Sequence, residues 1–230
     1  SGPVGVGPFV EALAESFSVV RYDQRGTGGS PPPVDPSAVT MADRAEEVAE
    51  LLEALQIPKA HLFCHSTGCG IGIAFAAAYP ERVDRLVLAT PWAYGDPHLT
   101  TMQNLRIAAA RALSPRDYAT FNASLLFPPT YRREHEAGFA AQAASAPAQD
   151  ADQIAGRLHA ILGYDTRPVT PGIQAPTLVV SSDDDQLMPC WFGRDIAAGM
   201  PDARYEELRG GGHMLPETKT FELLELVGAF

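Results

Sequence analysis

The sequence predicts an α/β fold: a mostly parallel, doubly wound sheet with a helical insertion. Three observations predict it. Runs such as Arg85–Ala89 and Thr177–Ser181 are apolar without polar alternation, as strands covered on both faces require. These runs alternate with segments of helical spacing, the rhythm of crossover units. Between about Gly95 and Pro171 the rhythm stops and only helical patterns remain.

The elements follow in order. Val10, Leu13, Ala14 and Phe17 recur at helical spacing, so residues 10–17 read as a helix. Ser18–Tyr22 reads as a short strand, and Asp23–Pro33, with four glycines or prolines in its second half alone, as a turn-rich loop. Thr40 is a candidate N-cap with Asp43 three residues on, as in a capping box. That helix shows an apolar face of Val48, Leu51, Leu52 and Leu55, and Pro58 ends it. His61–Cys64 reads as a strand running into Ser66, and Ile71–Ala78 as the helix after it, closed by Tyr79-Pro80. After the strand 85–89, four helices are expected: Met102–Leu113, Pro115–Phe127, Arg132–Ala144 and Asp150–Leu162. Strands return at Thr177–Ser181 and, more weakly, at Ala203–Leu208. The expected division is a core of residues 1–94 and 172–230 with a helical cap of residues 95–171 over the sheet. Phe121, Leu125, Leu126, Phe127 and Phe139 are its expected core contacts or pocket wall. The loop-like start Ser1–Gly5 and the helical pattern at Leu226–Phe230 read as a core cut at both ends.

Composition narrows the function. With 230 residues, 46% of them hydrophobic, the chain can bury one sizeable core. A net charge of −11 argues against nucleic acid as a partner. Three cysteines, an odd number without CxxC spacing, argue against a disulfide framework or a zinc site and for a reducing, cytoplasmic setting. No run of about 18 apolar residues offers a membrane span.

The chemistry concentrates at Cys64-His65-Ser66-Thr67-Gly68. Strand, sharp turn and helix in succession lift a serine from the sheet edge and aim a helix N-terminus at whatever it attacks. The usual pattern is Gly-x-Ser-x-Gly, and Cys64 stands in the first glycine's place. A serine needs a base, and the base needs an acid to orient it. Candidates follow the later strands: the acids Asp183, Asp184 and Asp185, then His213 behind Gly210-Gly211-Gly212. The order serine, acid, histidine suits a triad gathered at the carboxyl edge of a parallel sheet. The bland readings are an N-cap serine, a solvated acidic turn and a loop histidine. His65 is expected to point away from the apex and to pack. His61 lies at a strand start, and His98, His135 and His159 fall in or beside the insertion, where surface roles are expected.

These residues carry a resemblance to α/β-hydrolase-fold enzymes with a serine nucleophile and a short helical cap. Tyr22-Asp23-Gln24-Arg25-Gly26-Thr27-Gly28-Gly29-Ser30, the Cys64–Gly68 turn, Tyr79-Pro80-Glu81-Arg82-Val83, Asp185-Gln186-Leu187-Met188-Pro189 and Gly212-His213 match that family's segments in order. The resemblance implies Asp185, four residues before a proline, as the acid. It implies an oxyanion hole with Thr67 N–H as one donor and a second donor at Ser1 or Gly2 or upstream of them. Asp23 and Arg25 are expected to be structural. Leu126–Tyr131 and Ala160–Asp165 are similar to aminoacrylate hydrolases and enol-lactone hydrolases. Proline iminopeptidases share the Tyr22–Gly26 segment but not the elbow, and Ser66 excludes the branches with an aspartate nucleophile. The implied activity is acyl transfer on a small ester, lactone or amide or carbamate-type molecule, with no cofactor and no metal. A lyase or cofactor-free oxygenase on the same fold, or a silent ligand receptor, is the alternative.

Overall fold

The structure, a computed structural model, describes residues 6–35 and 38–230. Helices α1 (Gly7–Ala14) and α2 (Met41–Ala54) precede strand β1 (Ala60–His65), and α3 (Thr67–Ala78) leads to β2 (Val83–Ala89). Five helices follow: α4 (Pro97–Ala112), α5 (Pro115–Leu126), α6 (Pro129–Glu134), α7 (Glu136–Ala144) and α8 (Ala151–Leu162). Then come β3 (Thr177–Ser182), α9 (Cys190–Gly199), β4 (Ala203–Leu208), α10 (Leu215–Thr218) and α11 (Thr220–Gly228). The strands lie in the order β1-β2-β3-β4 and every neighbouring pair is parallel.

Alternation along the strands builds two layers of core. Cys64, Leu86, Leu88 and Val179 pack with residues of α2, α3, α8 and α9 on one face. Val87, Leu178 and Val180 turn to the other face and meet Phe9, Leu215 and Leu223 from α1, α10 and α11. The sheet is therefore wound on both sides, as its continuous Val/Leu runs require.

Local rules account for the helices that frame the site. Thr40 caps α2 through its hydroxyl to Asp43 N–H, while Asp43 returns a carboxylate bond to Thr40 N–H at 2.7 Å. Of the expected face of α2, Leu52 is buried and Val48 packs partly buried against the core, but the buried stripe is wider and turned toward the alanines. It is Met41, Arg44, Ala45, Ala49 and Leu52, and Leu55 is exposed. Alanines let α2 approach the glycine-rich α3 closely, and of the leucines Leu52 joins the core while Leu55 stays at the rim. The helix stops at Ala54, before Pro58 is reached, because Gln56 adopts φ +56. The expected helix over 132–144 breaks at His135 into α6 and α7.

Ser18–Tyr22 is the expectation that the structure overturns. It joins no described strand, and Val19 (39% exposed), Val20 (45%) and Tyr22 (38%) lie open. β-branched residues favour extended backbone, but a strand needs a ladder partner, and no described strand pairs with it. Among the described residues no helix is long and apolar enough to cross a membrane.

Candidate active site

At the carboxyl end of β1 the backbone reverses through one residue. Ser66 has φ +54 and ψ −121, a conformation L-residues avoid, and α3 begins at Thr67. Holding a non-glycine residue there costs about 1–3 kcal/mol, so surrounding contacts must enforce it. Two of them are Ser66 N–H to Ala89 O at 3.0 Å and Cys69 N–H to Ser66 O at 2.8 Å.

The turn places a hydroxyl against the imidazole carried by a loop 147 residues on. Ser66 Oγ lies 2.7 Å from His213 Nε2, and His213 Nδ1 lies 2.7 Å from Asp185 Oδ2. Asp185 and His213 are both almost wholly buried, at 4% and 2% exposure. The second Asp185 oxygen, Oδ1, accepts Leu187 N–H and Met188 N–H, both at 2.9 Å, so the carboxylate is fixed from behind. The other two acids have different work. Asp183 accepts Gly210 N–H at 2.6 Å; Asp184 accepts the Ser182 hydroxyl at 2.6 Å and Gly212 N–H at 2.7 Å. They hold the glycine loop that delivers His213. In that loop Gly212 has φ +63, and a Cβ there would lie 2.9 Å from Leu126 O, so only glycine fits.

Thr67 is the first residue of α3, so its N–H has no acceptor within the helix. A small cleft opens beside it, between the Gln24-Arg25 loop, the start of α2 and helix α8. Arg25, Arg44 and Arg157 line it together with Gln24 and Gln153, and none of its described lining residues is acidic. Ser66, Asp185 and His213 are not among its described lining residues. Ser1 and Gly2, the expected second donors, lie outside the described residues.

Cys64, in the place of the motif's first glycine, is buried, and its Sγ would lie 2.4 Å from a Cβ on Gly72. The room that the motif's glycine normally leaves is supplied here by the helix. Burial pushes the Cys64 thiol up to about 12, so it stays protonated.

The family model described as alpha/beta hydrolase fold matches residues 4–220. The chain belongs to that family. Among its relatives is a protein of Azorhizobium caulinodans named as a carbamate hydrolase, RutD, 32% identical over 208 residues, or 90% of this chain and 78% of that one. Among solved structures, the enol-lactonase of Burkholderia xenovorans LB400 superposes with a TM-score of 0.85 at 30% identity, covering 97% of this chain and 84% of that one. A hydrolase of Pseudomonas aeruginosa PA01 follows at TM-score 0.80 and 31% identity, covering 95% and 82%.

In this α/β-fold hydrolase the segment Asp23–Ser30 is a self-bracing loop. Asp23 accepts Gly29 N–H at 2.9 Å and Ser30 donates its hydroxyl to Asp23 O at 2.7 Å, while Arg25 reaches Glu47 and Glu50 of α2. A Cβ on Gly28, at φ +51, would fall 2.1 Å from the Asp23 carboxylate. The remaining histidines stay outside the Ser66–His213–Asp185 line: His61 faces Asp84, His98 meets Gln186 O, His135 stacks on Tyr131 and His159 is exposed. His65 packs, and it also makes a hydrogen bond. Its ring lies against His213, with Nε2 at 2.8 Å from the His213 carbonyl. Sequence reasoning missed this bond, which joins residues 148 apart in the chain.

Proposed function

We propose that the chain is a serine hydrolase that cleaves a small carboxylic ester, lactone or amide or carbamate-type substrate through an acyl-enzyme. The observation that carries this reading is the unbroken line from Ser66 Oγ through His213 to Asp185, with both contacts at 2.7 Å. Asp185 accepts the Nδ1 hydrogen, which leaves His213 Nε2 bare to take the serine proton. Ser66 Oγ then attacks the carbonyl carbon, and negative charge develops on the carbonyl oxygen. Thr67 N–H, at the positive end of α3, faces that charge. His213 gives its proton to the leaving oxygen or nitrogen, and the C–O or C–N bond breaks. A water, deprotonated by the same nitrogen, attacks the acyl-enzyme; the proton returns to Ser66 as the acid departs.

Of the groups on the small cleft beside Thr67, Arg25 and Arg44 are paired with Glu47, while Arg157 and the Gln24 and Gln153 carboxamides offer donors for a polar handle on a small substrate. The likeness to proteins named as a carbamate hydrolase and an enol-lactonase points the same way. In this reading residues 95–171 form the cap, whose helix α8 supplies one wall of the cleft, and the three free thiols fit a reducing cytoplasm. The test is hydrolysis of p-nitrophenyl acetate and of a panel of small esters, lactones and carbamates by the wild type and Ser66→Ala. Turnover abolished in the variant, with an organophosphonate adduct on Ser66 of the wild type, is the expected result. Turnover that survives Ser66→Ala, or a wild type that takes up no phosphonate at Ser66, overturns the reading.

A further inference from the structure

We propose that His65 is a positioning residue: its ring ties the nucleophile's own strand to the main chain of His213. The proposal rests on the serine-hydrolase reading above. His65 closes β1, and its Nε2 lies 2.8 Å from His213 O. A carbonyl oxygen only accepts, so Nε2 carries the hydrogen. Burial, and then the neighbouring His213, hold the His65 ring down at about 4. Near neutral pH it is therefore a neutral imidazole whose single hydrogen is spent on this bond. Thr90, the first residue after β2, brings its hydroxyl to 3.2 Å from the same carbonyl and to 2.8 Å from Ala89 O. It is fully buried, and at φ +50 it is held in a conformation that needs a reason.

His213 is thus gripped twice by one dipeptide. Ser66 Oγ meets its ring at 2.7 Å, and His65 meets its carbonyl at 2.8 Å. The grip matters because the loop behind His213 is three glycines in succession, at φ +69, +109 and +63. Such a loop reaches conformations other residues cannot, and it does not fix a side chain by itself. On the insertion side, His213 N–H is held by Leu126 O at 3.0 Å. The main chain of His213 is therefore anchored to the cap through its nitrogen and to β1 and β2 through its oxygen. A displacement of about 1 Å at a reacting group costs on the order of 10²-fold in rate.

The test compares His65→Gln with His65→Asn. The glutamine carboxamide nitrogen reaches the place of Nε2 and can donate there; the shorter asparagine ends near the place of Nδ1 and cannot. His65→Asn is expected to lose about 10- to 100-fold in kcat on p-nitrophenyl acetate, with KM within about twofold. His65→Gln is expected to recover at least about tenfold of that loss. In proton NMR, the low-field resonance of the His213 Nδ1 hydrogen should persist in His65→Gln and broaden in His65→Asn. Thr90→Val, which keeps the shape and branching, should lower kcat severalfold and serves if His65→Asn fails to fold. Equal losses in the Gln and Asn variants, or a wild-type kcat in both His65→Asn and Thr90→Val, overturn the tie. If Ser66→Ala keeps its turnover, the hydrolase reading falls; if Ser66→Ala is inactive while His65→Asn is unaffected, only the tie falls.

Discussion

Replacing Asp185 by asparagine removes one charge and one acceptor from the candidate triad, and the geometry dictates how the amide settles. Asp185 Oδ1 accepts two backbone N–H groups, from Leu187 and Met188, and Oδ2 accepts His213 Nδ1–H. An asparagine has one acceptor oxygen and one donor NH2. If the NH2 turned toward residues 187 and 188, two buried N–H groups would lose their acceptor, at about 1–3 kcal/mol each. The oxygen therefore stays on the backbone and the NH2 faces His213. An NH2 cannot accept, so the imidazole must move its hydrogen to Nε2, where it confronts Ser66 instead of receiving its proton. The same substitution in a Ser-His-Asp protease lowers kcat by about 10⁴, equivalent to about 5 kcal/mol of barrier. Asp185→Asn is thus expected to lose about 10⁴ in kcat while keeping its backbone bonds and unfolding within a few degrees of the wild type. Asp184→Asn is the control. Asp184 Oδ1 alone takes Ser182 and Gly212, and an amide oxygen can do the same, so a loss below about tenfold is expected. Initial rates on p-nitrophenyl acetate and thermal melts of both variants decide the matter. An Asp185→Asn enzyme with more than about a tenth of wild-type kcat, or an Asp184→Asn loss as large as that of Asp185→Asn, refutes the assignment.

Two further outcomes follow from the same neighbourhood. Gly72→Ala would place a Cβ 2.4 Å from Cys64 Sγ and should destabilise the chain by about 1–3 kcal/mol in urea unfolding; adding Cys64→Gly removes the clash, so the double variant should be more stable than the sum of the singles, and simple additivity would sink the explanation of Cys64. His65 is held at about 4 in the folded chain against about 6.5 unfolded, so between those values the unfolded chain binds a proton that the folded one refuses. Stability is then lost as pH falls through that window, by up to about 3 kcal/mol; unfolding free energies of the wild type and His65→Gln measured from pH 7 to 4 should diverge, and parallel curves contradict the assignment.

Features set by neighbours in sequence were legible before any coordinates. The Thr40–Asp43 box, the apolar runs of β2 and β3 and the strand–serine–helix junction all depend on residues within one element. The choice among Asp183, Asp184 and Asp185 was not legible from the residues alone. The three are adjacent and chemically identical, and only the partners brought by β4 and its loop separate them. The face of α2 was legible only in part: Leu52 and Val48 meet the core, but Ala45 and Ala49 were not visible as buried because leucine outranks alanine in transfer energy whereas close packing on α3 rewards the smaller residue. Ser18–Tyr22 was misread for the opposite reason: its propensity is local, but strand formation depends on a neighbour that propensity does not encode.

The mismatched elbow shows what such a motif specifies. Gly-x-Ser-x-Gly is written as positions, yet what the turn demands is that β1 and α3 approach within van der Waals contact behind a serine at φ +54. In this chain the side chain sits on the strand, at Cys64, and the missing Cβ sits one helical turn past the motif, at Gly72. Ser66 holds φ +54 and ψ −121, Thr67 opens the helix, and burial keeps the Cys64 thiol protonated. Cys64 is accommodated behind the serine because Gly72, across the strand–helix contact, carries no Cβ.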